Sequence, residues 1–160
     1  MVFGKAGIRP AGCLAASVLA ILQLSGCAGQ PPSQEALETE FEESLTGAVL
    51  EGSFTINGRE SEALRTERYE INSVTKIAGS LWTINTRIQY GSRDVTVPVP
   101  VTVEWAGDTP VVSLTDTAIP GLGTFSARVL FYRGQYAGTW SHGDTIGNQF
   151  GRIIKKPPES

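Results

Sequence analysis

Residues 94–105 alternate strictly between two kinds of side chain. Val95, Val97, Val99, Val101, Val103 and Trp105 take every second position, and Asp94, Thr96, Pro98, Pro100, Thr102 and Glu104 fill those between. Neighbouring side chains of a strand point to opposite faces, so a period of two makes one apolar and one polar face. Trp82, Ile84, Ile88 and Tyr90 alternate in the same way with Thr83, Asn85, Arg87 and Gln89, as do Phe125, Ala127, Val129 and Phe131 with Thr124, Ser126, Arg128 and Leu130. Tyr136, Gly138 and Trp140 form a shorter set. Phe150, Arg152 and Ile154 interleave with Gly151 and Ile153, which leaves the face of the last strand undefined. Asn57-Gly58, Ala78-Gly79-Ser80, Gly91-Ser92, Gly107-Asp108, Pro120-Gly121, Arg133-Gly134 and Gly143-Asp144 punctuate the runs as turns. Strands are therefore predicted at 49–56, 66–77, 80–90, 94–105, 110–116, 122–132, 135–141 and 147–155.

Before residue 48 the period is helical. Leu37, Phe41, Leu45 and Ala48 fall at spacings of four, four and three, a narrow apolar stripe. Ser33 can cap the start, and Glu35 and Glu38 suit the positive end of the helix dipole. A helix over 34–47 is predicted to cap one end of the domain, with Glu38, Glu40, Glu42 and Glu43 mostly turned to solvent.

Evenly spaced strands with one apolar face each predict a mainly β fold of about eight antiparallel strands in meander order. They form either a small barrel or a two-sheet sandwich. Pro98 and Pro100 lack N–H donors and lie two apart, so both remove donors from the same side of the 94–105 strand. That side is expected to be bare near its centre, toward 110–116 or solvent, so that a continuous eight-strand closure fails there, with room for pairing to survive near Gly107-Asp108. The opening serves either ligand entry or protection against edge-to-edge association. Tyr136-Ala137-Gly138-Thr139-Trp140 and Gly147-Asn148-Gln149-Phe150-Gly151-Arg152-Ile153 loosely resemble the closing strands of small lipocalin-like or avidin-like barrels. The usual lipocalin signature near the first strand is absent.

The N-terminus has a different character. Lys5 and Arg9 precede residues 11–24, which carry no charge and are mostly Ala, Leu, Val and Ile, the pattern of a secretory signal peptide. The run is shorter than the roughly 20 residues that span a bilayer. It ends in Leu24-Ser25-Gly26-Cys27, which resembles the lipobox of bacterial lipoproteins. That resemblance implies a diacylglyceryl group on the Cys27 thiol, cleavage between Gly26 and Cys27, and acylation of the new amine. In that family an aspartate after the cysteine commonly retains the protein in the inner membrane. Ala28 stands there instead, which favours the outer membrane, facing the periplasm, in a Gram-negative cell. The expected organisation is a signal peptide at 1–26, a lipidated cysteine and Pro-rich tether at 27–33, the helix at 34–47, the β domain at 48–156 and a tail at 157–160. At ~3.3 Å per residue the tether reaches about 20 Å.

Cleavage changes the composition. Removing 26 of 160 residues leaves 134, enough for a single core. Cys13 leaves with the leader and Cys27 is consumed by lipid, so no disulfide is expected and the fold must rest on its core. Lys5 and Arg9 leave too, so Lys plus Arg falls from 13 to 11 against 16 Asp plus Glu, a net charge of −5. That disfavours nucleic acid as a partner.

Candidate chemistry is sparse. The single histidine sits in Ser141-His142-Gly143-Asp144, where three near neighbours in a turn point different ways and do not converge as a triad must. A zinc site lacks His and Cys ligands, and Asp94, Asp108, Asp116 and Asp144 are too scattered for a calcium loop. No phosphate-binding glycine loop or dinucleotide motif is present, and no cofactor is expected. Trp82, Trp105 and Trp140 lie on apolar strand faces and are either core or the lining of a pocket. These features predict a non-catalytic envelope lipoprotein, anchored through Cys27, whose β domain binds an envelope protein or a small ligand. A lipocalin-like carrier of a small apolar ligand is the alternative, and a hydrolase using acidic residues is a third.

Overall fold

Helix gives way to sheet at Gly47. In the computed structural model, which describes residues 31–155, α1 spans Gln34–Leu45. Eight strands follow: β1 (Ala48–Phe54), β2 (Arg65–Ala78), β3 (Leu81–Tyr90), β4 (Arg93–Ala106), β5 (Thr109–Ile119), β6 (Gly123–Tyr132), β7 (Gln135–His142) and β8 (Thr145–Lys155). The leader, Leu24-Ser25-Gly26-Cys27 and the tail at 157–160 lie outside the described residues. Each strand pairs antiparallel with the next, and β1 also pairs with β8 from Ala48↔Lys155 to Phe54↔Gln149, so the sheet closes into a barrel rather than splitting into a sandwich.

The helix begins as its sequence requires. Ser33 caps it, its hydroxyl accepting from the Ala36 N–H at 3.2 Å. It ends two residues before the expected 47. Thr46 leaves the helical conformation, and Gly47 takes φ 74°, a left-handed value that glycine adopts without a Cβ clash. The Gly47 N–H then donates to the Ile71 carbonyl at 2.9 Å, and Ala48 belongs to β1, not to the helical stripe. Lys155 of β8 donates to the Glu43 and Thr46 carbonyls, and Lys76 pairs with Glu38 at 2.6 Å, tying the helix to the barrel at both strands.

Leu37, Phe41 and Leu45 are the buried face of α1. Phe41 lies across one end of the barrel, its ring edge-on to Trp82 (5.3 Å between centroids), Trp105 (6.2 Å) and Phe131 (6.3 Å). Burying a side chain of this size contributes about 1.5–3 kcal/mol, and edge-to-face rings add to it. The helix is therefore a plug. It closes the end formed by the start of β1, β3, β5 and β7, and the opposite end has no such cover among the described residues.

The proline strand pairs as its chemistry dictates. β4 pairs with β3 along the whole length of β3, from Leu81↔Thr102 to Tyr90↔Arg93. With β5 it shares five pairs, Thr102↔Ser113 to Ala106↔Thr109, next to the Gly107-Asp108 turn. The Val103 N–H donates to Ser80 on the β3 side, so alternate residues, Pro98 and Pro100 among them, face β5. From Arg93 to Val101 that side of β4 has no paired strand. Closure thus holds near the plug and lapses toward the open end. β5 is irregular just beyond its last pair with β4: its pairing with β6 slips between Leu114 and Thr117, with Asp116 at φ 47°. Ser126 Oγ accepts from the Asp116 N–H at 2.9 Å, and the Arg128 guanidinium donates to the Leu114 carbonyl and, at 2.9 Å, to Thr115 Oγ1, so this irregularity is held in place. β5 consequently runs to Ile119, beyond the expected 116.

Candidate functional site

The first inward positions of β2 are Glu67, Tyr69 and Ile71, before a register shift between Ile71 and Ser73 breaks the alternation. Glu67 therefore points into an apolar barrel, with only 6% of its surface exposed. Opposite it, Gly52 of β1 faces Gly151 of β8. A Cβ on Gly52 would lie 2.2 Å from the Tyr136 hydroxyl, and one on Gly151 would lie 2.6 Å from the Tyr136 ring. Two glycines thus clear a bare strip of wall on which the Tyr136 ring lies, and their absence of side chains lets its hydroxyl reach Glu67.

Glu67 accepts two hydrogen bonds, from the Tyr136 hydroxyl to Oε1 and from the Tyr69 hydroxyl to Oε2, each 2.9 Å. Burial pushes its carboxyl above the ordinary 4.5, and the two tyrosine donors hold it back down. The same burial, reinforced by the charge of Glu67, raises both tyrosines, Tyr69 well above 10.0. Both phenols therefore remain protonated donors at physiological pH.

Above the plug the barrel is not filled. A cavity of about 190 Å³ is walled by aliphatic and aromatic side chains, with Glu67, Thr86 and Gln149 as its polar spots. Toward the open end it meets a wider mouth of about 610 Å³, to which Arg65, Arg93 and His142 contribute. Phe54, Tyr90, Phe125 and Trp140 line both spaces and form a collar between them. Phe54 sits edge-on to Trp140 at 5.6 Å and to Tyr90 at 6.3 Å. The Trp140 indole lies over Gly147, and its N–H is buried without a hydrogen-bond partner among the described residues.

The three tryptophans separate. Trp140 lines the cavity, whereas Trp82, 1% exposed, and Trp105 pack on Phe41 in the plug and do not line it. His142 stacks on Phe125 (4.4 Å, 29°), covers Gly123, and donates from Nδ1 to the Thr124 carbonyl at 2.9 Å. Its ring is thus oriented by a backbone carbonyl rather than a carboxylate, while Asp144 stands exposed in the β7–β8 turn. Paired-carboxylate chemistry needs two acids facing one space, and among the described residues Glu67 is the single acid lining the cavity. Among the described residues no group of three His, Cys, Asp or Glu side chains could hold a metal ion. No helix among them is long and apolar enough to cross a membrane.

Glu67 was legible only in part. Its place in the phase of Tyr69 and Ile71 puts a charge on the apolar face of a strand, which is a signal for a buried functional acid. The shift after Ile71 interrupts the alternation that would have exposed it.

No protein-family model, curated protein or solved structure matches this chain.

Proposed function

We propose that this chain is a non-catalytic lipoprotein of the bacterial envelope, anchored through Cys27, whose barrel holds one small, mostly apolar ligand. The observation that carries the binding half of this reading is the unfilled apolar interior, about 190 Å³ beneath an aromatic collar and an open mouth. Protein interiors are normally packed to crystal density, so a void of this size is a poor use of a core. An apolar cavity of ~150 Å³ takes up benzene. Eight-stranded barrels are just wide enough either to fill with side chains or to hold one small ligand. Glycines at 52 and 151 make room for the Tyr136 ring against the wall, and Gly147 for the Trp140 indole. The anchor half of the reading rests on Leu24-Ser25-Gly26-Cys27 and the short polar tether.

Benzyl alcohol, a neutral ring of about the right size, tests the binding reading. It should bind saturably and change the fluorescence of Trp140. Ala127→Phe, which fills the cavity from its wall, should abolish that response while keeping the fold. Equal calorimetric responses from the two proteins would remove the cavity as the site.

A second reading, a module that docks an envelope protein, is favoured by an exposed row across three strands. Leu130, Ala137 and Phe150 are cross-strand neighbours on the outer face, with Leu130 44% and Phe150 43% exposed. Phe150→Ser should weaken such docking and leave benzyl alcohol binding unchanged.

A further inference from the structure

Resting on the cavity-binding reading, we infer that the ligand is a small organic ammonium: an apolar body about one ring in size bearing a protonated amine that meets Glu67. Among the described residues that line the cavity, Glu67 is the only charged one, and no Lys, Arg or His joins it there. Its two partners are neutral phenols. A buried carboxylate with neutral partners alone has left water without meeting a counter-charge, an arrangement that costs free energy until a cation supplies one. Each of its oxygens accepts one hydroxyl and keeps acceptor capacity for an N–H. Tyr69, Tyr90 and Tyr136 stand around it, Tyr90 directly across from it on β3, and aromatic faces attract cations. The space fits as well: an aminomethyl group on one ring is a small step beyond the benzene that a slightly smaller cavity holds.

The mouth has the opposite sign. Arg65 and Arg93 line it, but both are exposed, and Arg65 is already paired with Glu62 at 3.1 Å. Charges in that position are screened by solvent and salt, whereas Glu67 is not. The charged head is therefore drawn past the collar to the buried acid. An anionic amphiphile, with its head left at the arginines, is the competing occupant.

The test is a head-group series on one ring: benzylamine, benzyl alcohol and benzoate, titrated calorimetrically into the folded protein at pH 7, where the amine is protonated. Benzylamine should bind at least about tenfold more tightly than benzyl alcohol. Glu67→Gln should erase that preference, so that benzylamine binds this variant no more tightly than benzyl alcohol does. The wild-type ranking decides the matter even if a variant does not fold. Benzoate binding most tightly, or an amine preference that survives Glu67→Gln, overturns the inference. If benzyl alcohol binds but the amine is not preferred, the cavity reading stands and the ammonium inference falls. If none of the three binds, both fall.

Discussion

Glu67 is where the residue scale matters most, because one carboxyl changes both the wall of the cavity and the pH dependence of the fold. Its carboxyl is raised by burial, so in the folded state it holds its proton to a higher pH than in the unfolded chain. The stability contributed by that difference is fully present below the ordinary value of 4.5 and is lost as pH rises through the raised value. Glu67→Gln keeps a neutral side chain of the same shape, with an oxygen for one tyrosine hydroxyl and an amide for the other. The variant and the wild type should therefore melt alike near pH 4. Between there and pH 8 the variant should become progressively the more stable of the two. Glu38 and Asp94 are lowered by Lys76 and Arg87 and act in the opposite sense, but they are common to both proteins and cancel in the comparison. Thermal melts at unit pH intervals check this, and a variant that loses stability relative to wild type as pH rises would contradict the burial argument.

Among the elements, β4 and α1 divide the barrel into a sealed end and an open one. The helix seals with aromatic packing around Phe41. β4 opens by chemistry, since two prolines facing β5 cannot donate, and β5 breaks its own register with β6 around Asp116. Restoring the donors is the informative change. Pro98→Thr with Pro100→Thr should leave the β3–β4 ladder intact, because the prolines face away from it. If the gap protects an edge, sedimentation should show increased self-association with ligand affinity unchanged. Slowed exchange of bound benzyl alcohol with no self-association would instead assign the gap to ligand passage.

For the whole molecule, the proposed anchor would depend on the number of acyl chains it carries. One chain holds a protein at a membrane marginally, with each buried methylene worth ~0.8 kcal/mol, and two or more hold it stably. Mass spectrometry of the mature protein should find an N-terminal Cys27 carrying the diacylglyceryl group, and Cys27→Ser should leave an unlipidated precursor or a soluble form. A free Cys27 thiol in the mature protein would end the lipoprotein reading. With the proposed lipid in place, a tether reaching about 20 Å would hold the barrel beside the bilayer.

Much of this architecture was legible because it depends on local rules. Alternation at Val95 to Trp105 and in the other runs set the strands, glycine-containing pairs set the turns, and Ser33 with the Leu37–Phe41–Leu45 spacing set the helix, each through interactions between residues close in the chain. Even the lapse in β4–β5 pairing was readable, since a missing N–H is a covalent property of proline. What needed tertiary structure was every relation between distant residues. Barrel and sandwich share the same alternation, and only the pairing of β1 with β8 separates them. The three tryptophans share the same phase, yet the position of the helix assigns Trp82 and Trp105 to the plug and leaves Trp140 at the collar. Glu67 and Tyr136 lie 69 residues apart and meet only because closure brings Gly52 and Gly151 face to face, clearing the wall between them. Local periodicity determines which face a side chain takes, and the closure of the barrel determines what that face encloses.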